Sequence, residues 1–240
     1  MILSRHKPFG GPVRATLRSG AAALRTGFHL EAGMRVGLYG GSFNPAHDGH
    51  AHVAETARKR LALDKVIWLV SPQNPLKPVA GMAPLPERLR GAAAIARSHP
   101  RLRVSAIEAR LGTRYTVDTL AALRRHFPAT RFVWLMGADN LAQVVRWRQW
   151  SRIFHLVAIA VFDRGSYSMR ALAGKAARRF RRFRVSPGGA RSLASRSLPA
   201  WAFLPTPLDA TSATAIRAER KREESRGKSL NGRRSRRSSP

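Results

Sequence analysis

The sequence predicts an α/β protein, a doubly wound parallel sheet with helices on both faces. Three observations carry that expectation. Short apolar runs alternate with helix-period segments from Met34 to roughly Glu219, the pattern of repeated strand–helix–strand units. The 240 residues suffice for one domain with a full core. The residues able to do chemistry gather in the loops that follow the apolar runs, where ligands bind in such sheets.

The elements follow in order. "MRVGLY" from Met34 is a buried first strand, and a helix runs from about Gly49 to Leu61. "KVIWLVS" is the second strand and "LPERLRGAAAIARSH" a helix. "LRVSAIE" gives a third, weaker strand, followed by the helix "TVDTLAALRRHF" with apolar Val117, Leu120, Ala121 and Leu123 on one stripe. "RFVWLMG" and "LVAIAVF" are the fourth and fifth strands. "WAFLP" is expected as a sixth, before a last helix that begins near Ser212. The pattern is Rossmann-like, and the loop after the first strand is the first place to look for a ligand. No internal repeat is evident.

Composition narrows the classes. There is no cysteine, so disulfide frameworks and thiolate metal sites are excluded, in keeping with a reducing cytoplasm. No run of about 18 apolar residues marks a transmembrane helix. The formal charge of +31 suits polyanionic partners such as nucleotides, nucleic acid or an anionic membrane surface. That charge concentrates before Met34, in "KAARRFRRFR" at Lys175 to Arg184, and after Arg217. Three segments are therefore expected: a basic extension over 1–33, a catalytic domain over 34–219, and a disordered basic tail over 220–240. The tail is a solvated charged segment or a non-specific nucleic-acid contact. Met34 is itself a candidate initiator, with residues 1–33 an upstream extension.

The loop "GGSFNPAHDGH", Gly40 to His50, carries the chemistry. Gly40 and Gly41 permit tight turning and close approach of a ligand to the backbone. Pro45 stiffens the loop and Gly49 opens the helix. Free amides and the helix dipole there suit phosphate, and His47 and His50 are placed to donate to it. Two histidines at this spacing also fit zinc, but no third ligand accompanies them, and no protein metal site is expected. The Gly-Lys-Ser/Thr ending of a P-loop is missing. A second anion cradle is "TSATAIR": Ser212 is a good N-cap, Thr214 sits in the first turn, and Arg217 adds a full charge. A plain capped helix is the alternative there.

These motifs resemble those of the nucleotidyltransferase superfamily. "GGSFNPAHDGH" is similar to its G-x-F-x-P-x-H-x-G-H signature, and "TSATAIR" to its I-S-S-T-x-x-R element. Asn44, Pro45 and His47 resemble the nicotinate-nucleotide adenylyltransferases within it. Further likenesses are "PQNPLKP", "TRYTVDTL", "LMGADNL" and "WRQW". The resemblance spans about Met34 to Arg217. Ala213 departs from it, standing where a second Ser is usual, and "FDRGSY" stands where Arg-Pro-Gly is common, which leaves the role of Arg164 open.

The resemblance implies transfer of an adenylyl group from ATP to nicotinate mononucleotide, giving deamido-NAD and pyrophosphate in NAD biosynthesis. An anionic phosphate oxygen is the nucleophile, so neither a general base nor a covalent intermediate is required. Positioning and charge stabilisation suffice. His47, His50 and Arg217 are the implied catalytic residues. ATP would lie over Gly40, Gly41, Ser42 and Phe43, with Gly137 and Asp139 at the nucleoside and Ser212, Thr214 and Arg217 at the outer phosphates. Mg²⁺ would come with ATP and take few protein ligands. The acceptor would meet Lys77, Tyr115, Thr116, Asp118, Trp147 and Trp150. Each has a plainer alternative: a solvated loop lysine for Lys77, core aromatics for Trp147 and Trp150, and helix caps for Asp118 and Asp139. Small-molecule partners are then ATP and nicotinate mononucleotide, with nucleic acid at most non-specific through the basic ends, no membrane, and a homo-oligomer left open. Nucleic-acid-binding proteins, class I aminoacyl-tRNA synthetases and the pantetheine-phosphate or nicotinamide-mononucleotide adenylyltransferases are the competing classes.

Overall fold

A computed structural model of the chain describes residues 29–73, 80–163 and 168–206. Seven strands form one all-parallel sheet: β1 Arg35–Gly41, β2 Lys65–Val70, β3 Leu102–Ser105, β4 Arg131–Gly137, β5 Ala158–Phe162, β6 Arg184–Val185 and β7 Trp201–Leu204. Their spatial order is β3-β2-β1-β4-β5-β7-β6. The helices are α1 Asp48–Arg60, α2 Leu85–Ala96, α3 Ile107–Leu111, α4 Thr116–His126, α5 Ala138–Gln143, α6 Trp150–Leu156, α7 Ser168–Leu172 and α8 Lys175–Arg179, with 3₁₀ segments at Val144–Arg146, Arg181–Phe183 and Pro187–Ser195.

The strands are apolar on both sides because both sides are covered, as a parallel sheet requires. Alternate residues point to opposite faces. Leu38, Ile67, Trp134 and Ile159 enter one cluster with Leu120, Leu123, Phe154 and Phe180 from α4, α6 and the end of α8. Tyr39, Trp68, Leu135 and Ala160 enter the other with Ala54, Ala57 and Leu61 from α1 and its end, Ala92 of α2, and Leu193. Leu30, upstream of Met34, is buried in the first cluster. The expected doubly wound, Rossmann-like architecture is the one observed.

Two elements differ from expectation. β3 stops at Ser105, and Ile107 and Glu108 turn into the short α3, because an apolar side chain in a buried helix and one in a buried strand look alike over two or three residues. The strand expected as sixth is seventh in the chain, since Arg184–Val185 adds a two-residue edge strand beside Trp201–Ala202. The last helix, expected near Ser212, lies outside the described residues.

The topology locates the site. β1 is bordered by β2 on one side and β4 on the other, so the chain winds outward in opposite directions from this pair. The loops leaving the carboxyl ends of β1 and β4 therefore flank an open crevice.

Candidate active site

At that crevice the first loop is built around an aromatic floor. Phe43 is buried and stacks on Trp68 with ring centroids 4.8 Å apart, and Tyr39 meets it edge-on at 5.9 Å. The His50 ring lies 5.0 Å from Phe43 and 3.8 Å from His47. The two histidines are thus held by packing, not left in solvent. His47 is the N-cap of α1, and its backbone N–H donates to His50 Nδ1 at 3.3 Å. A ring nitrogen that accepts cannot carry the proton, so neutral His50 carries it on Nε2 as a donor. The first-turn amides of this 13-residue helix add their partial positive charge.

The glycines act differently from expectation. Gly40 and Gly41 belong to β1, and neither has a positive φ. A Cβ on Gly40 would fall 2.3 Å from Trp134 Cη2, so Gly40 makes room for the Trp134 indole. The residue that takes the left-handed turn is Phe43, with φ of 47°, held there by its stacking against Trp68.

Two side chains fasten this loop to the segments after β2. Asn44 Nδ2 donates to the Gly81 carbonyl at 2.9 Å, and Asn44 Oδ1 accepts from Ala83 N–H at 3.1 Å. Arg88 of α2 is 4% exposed. Its Nη1 donates to the carbonyls of Ser42 and Ser71 at 2.8 and 2.7 Å, Nη2 to Pro72 at 2.8 Å, and Nε to Ala83 at 2.9 Å. Burial pushes its pKa down from the ordinary arginine value, yet a guanidinium with every bond to a carbonyl stays charged. Nothing in "LPERLRGAAAIA" singles Arg88 out from its neighbour Arg90, and sequence reasoning missed it. Beneath Ser71 lies Glu108, 6% exposed, whose pKa burial pushes up against the opposing effect of a hydrogen bond with the Ser71 side chain.

On the β4 side, Gly137 ends the strand and is the N-cap of α5. Asp139 is therefore not the cap, and its Oδ1 is buried without a hydrogen-bond partner among the described residues. The acceptor residues divide. Tyr115 is the N-cap of α4, followed by Thr116. Asp118 makes no cap bond but pairs with Arg148 at 3.4 Å, and the Arg148 guanidinium stands 4.9 Å over the Tyr115 ring. Arg148, a second residue missed in the sequence, thereby brings the Tyr115–Asp118 segment beside Trp147, which meets Trp134 edge-on at 6.5 Å. Trp150 instead joins Phe154 and Phe180, at 6.3 and 6.1 Å. Lys77, Ser212, Thr214 and Arg217 lie outside the described residues, as does Arg164. A cavity of about 650 Å³ along the outer flank of α1, lined by His52, Glu55, Lys59 and His99, contains neither His47 nor His50. Among the described residues no group of three or more His, Cys, Asp or Glu is placed to hold a metal ion.

The cytidylyltransferase-like family model matches residues 38–219, and the chain belongs to that class of nucleotidyltransferases. A "Probable nicotinate-nucleotide adenylyltransferase" of Caulobacter sp. strain K31 is 53% identical over 184 residues, covering 77% of this chain and 97% of that one. Proteins of the same name from Parvibaculum lavamentivorans and Cereibacter sphaeroides are 53% and 54% identical, over 78% and 77% of this chain and 93% and 97% of theirs. Within its class the chain is a member of the nicotinate-nucleotide adenylyltransferase family, an enzyme of NAD biosynthesis. The fold is also that of a Plasmodium falciparum nicotinic acid mononucleotide adenylyltransferase solved with NaAD, at a TM-score of 0.57, 14% identity, and coverage of 77% of this chain and 83% of that one.

Proposed function

We propose that the crevice between β1 and β4 transfers the adenylyl group of ATP to nicotinate mononucleotide by direct in-line displacement. A phosphate oxygen of the acceptor forms a bond to the α-phosphorus of ATP as the bond to the β-bridging oxygen breaks. The electron pair leaves with pyrophosphate. No proton need be removed from the nucleophile, so donors and cations that stabilise charge suffice, with no nucleophilic side chain.

The observation that carries this reading is the hydrogen bond that the His47 backbone N–H donates to His50 Nδ1 at 3.3 Å. In a neutral ring it leaves the proton on Nε2, a donor suited to the charge that develops on the phosphoryl oxygens. His47 supplies a second imidazole at 3.8 Å. ATP would rest along Gly40, Gly41, Ser42 and Phe43, with Gly137 close by and the lone Oδ1 of Asp139 accepting from a nucleoside hydroxyl. Ser212, Thr214 and Arg217 would hold the β- and γ-phosphates. ATP enters as its Mg²⁺ complex, the ion bound chiefly by phosphate and water oxygens. Trp147, Tyr115, Thr116 and Asp118 would border the acceptor, Lys77 its phosphate, and Trp150 would brace that wall through Phe154. Discrimination of a carboxylate from a carboxamide calls for donors at the pyridine ring, best met by backbone amides. A cytoplasmic location belongs to the same proposal, as the place where ATP and pyridine nucleotides are made.

The test is pyrophosphate release with ATP and each acceptor in turn. Turnover is expected with nicotinate mononucleotide at a kcat/KM well above that with nicotinamide mononucleotide or phosphopantetheine. Turnover with either of those and none with nicotinate mononucleotide would overturn the assignment.

A further inference from the structure

We propose that the β6 edge of the sheet, at the end opposite the adenylyl-transfer crevice, binds single-stranded nucleic acid. From Arg164 to Leu208 the sequence contains no Asp or Glu. Within that span, eight Lys and Arg side chains lie between Lys175 and Arg196, and all eight are exposed. None takes part in an ion pair among the described residues. An unneutralised cluster of this size is costly through self-repulsion unless a polyanion covers it.

The cluster has a shape as well as a charge. Arg182, Phe183, Arg184, Ser186, Arg196 and Ser197 line a groove of about 460 Å³. It lies at the amino end of β7, since residues 196–200 lead into Trp201. The histidine loop leaves the carboxyl end of β1, so in a parallel sheet the two sites face opposite ways. Arg184 is held in place, its guanidinium 5.4 and 5.7 Å over the rings of Trp201 and Phe203. Phe183 is 42% exposed in the midst of these cations. A cationic groove that can follow a phosphate backbone, with an aromatic ring open to an unstacked base, is the chemistry of single-strand recognition. A duplex groove reader would require a longer exposed helix, and α8 has five residues, two of them buried alanines. A membrane surface would require a continuous apolar face, where here one phenylalanine stands among arginines.

The experiment uses the full chain and a fluorescein-labelled oligouridylate, with binding followed by anisotropy over a range of salt. Arg181→Glu/Arg182→Glu/Arg196→Glu spares Arg184, whose stacking on Trp201 is structural. This variant should bind at least about tenfold more weakly, with the slope of log K against log salt shallower by about 2, three cations at roughly 0.7 each. Phe183→Ala should weaken binding about fivefold or more through lost stacking and leave the slope unchanged. Both variants should keep pyrophosphate release, which also shows that they fold. Wild-type affinity in the charge-reversed variant would place any binding in the basic segments at the chain ends and overturn the proposal. So would binding to phosphatidylglycerol vesicles, lost in the same variant, with no affinity for the oligouridylate.

Discussion

At the carboxyl end of the sheet, one buried guanidinium donates to four carbonyl oxygens from three segments of chain. Around the β6 edge, the eight exposed cations from Lys175 to Arg196 have no carboxylate partner among the described residues. The same side chain serves as a fastener in the first place and as a source of field in the second. Arg88 is withdrawn from water, and that desolvation is offset only because its planar fork meets carbonyls at 2.7 to 2.9 Å. Apart from Arg184, which stacks on Trp201 and Phe203, the edge cations are exposed and keep their hydration, so each is individually replaceable and only their sum matters. A net charge of +31 therefore says little about where arginine is indispensable. Geometry decides it.

Substitutions at the two ends should separate accordingly. His50→Ala should show the largest effect, a loss of about 10²- to 10³-fold in kcat for the removal of one donor at a developing charge, with the melting temperature within a few degrees of wild type. Phe183→Ala at the edge, a larger truncation, should leave pyrophosphate release unchanged. Comparable losses from both would erase the distinction between the ends. Arg88→Lys comes next. An ammonium has three N–H donors for four carbonyls, so at least one half-buried acceptor loses its partner, a cost of about 2 kcal/mol, or roughly 4–8 °C in melting temperature for a domain this size. Because Arg88 ties the loop after β1 to the segments after β2, KM should rise for ATP and for the acceptor together. Arg182→Lys should change stability by no more than about 0.5 kcal/mol.

The contrast also explains what was legible in the sequence. Strands buried on both faces are written as apolar runs, so β1, β2, β4 and β5 could be placed to within two or three residues. The histidine loop was legible because Gly, Pro and His cluster where a strand gives way to a helix. Arg88 was not legible: its partners Ser42, Ser71, Pro72 and Ala83 are carbonyl groups, which leave no trace in side-chain pattern and converge only in three dimensions. Arg148 was hidden for a related reason, since it bridges Tyr115 and Asp118 across about 30 positions of chain. β6 escaped notice because its two residues sit inside "RRFRV", too short and too charged for an alternating pattern. The turn after β1 misled most. Gly40 looked like the flexible residue, but it provides space for Trp134, while Phe43 adopts the conformation bulky residues ordinarily avoid.

Gly40→Ala tests that inversion and is expected to cost about 2 kcal/mol, within the range for overpacked cores, lowering the melting temperature by roughly 4–8 °C. The new methyl would press on Trp134, whose ring packs edge-on with Trp147 at 6.5 Å between centroids. KM for the acceptor should therefore rise more than KM for ATP. Gly188→Ala, at the other end, meets nothing within 4 Å and should be silent in both measurements. An unaltered melting temperature for Gly40→Ala would mean that Trp134 swings away freely and that the crevice is looser than its packing implies.

The smallest effect concerns protons. Between Arg164 and Leu208 there is no carboxylate to titrate, whereas Glu108 is buried behind Ser71 at the crevice end. Burial raises its pKa above the ordinary 4.5, so the native chain holds a proton that the unfolded chain releases. That stabilisation is complete below about 4.5 and is lost as pH rises through the native value. Asp64 runs the other way: desolvation would raise its pKa, but the hydrogen bonds and charge of Arg35 outweigh it and hold it low, so its stabilisation is present above its unfolded value and lost as pH falls. Comparing wild type with Glu108→Gln cancels the Asp64 contribution, because both proteins carry it. The glutamine has no proton to lose, so the variant should gain in melting temperature relative to wild type as pH climbs from about 4.5 toward neutrality. Melting curves of both proteins across that range decide the matter. A gap that stays constant with pH would mean that Glu108 ionises in the native state as easily as in the unfolded chain, and that the crevice end is wetter than the four-carbonyl grip of Arg88 suggests.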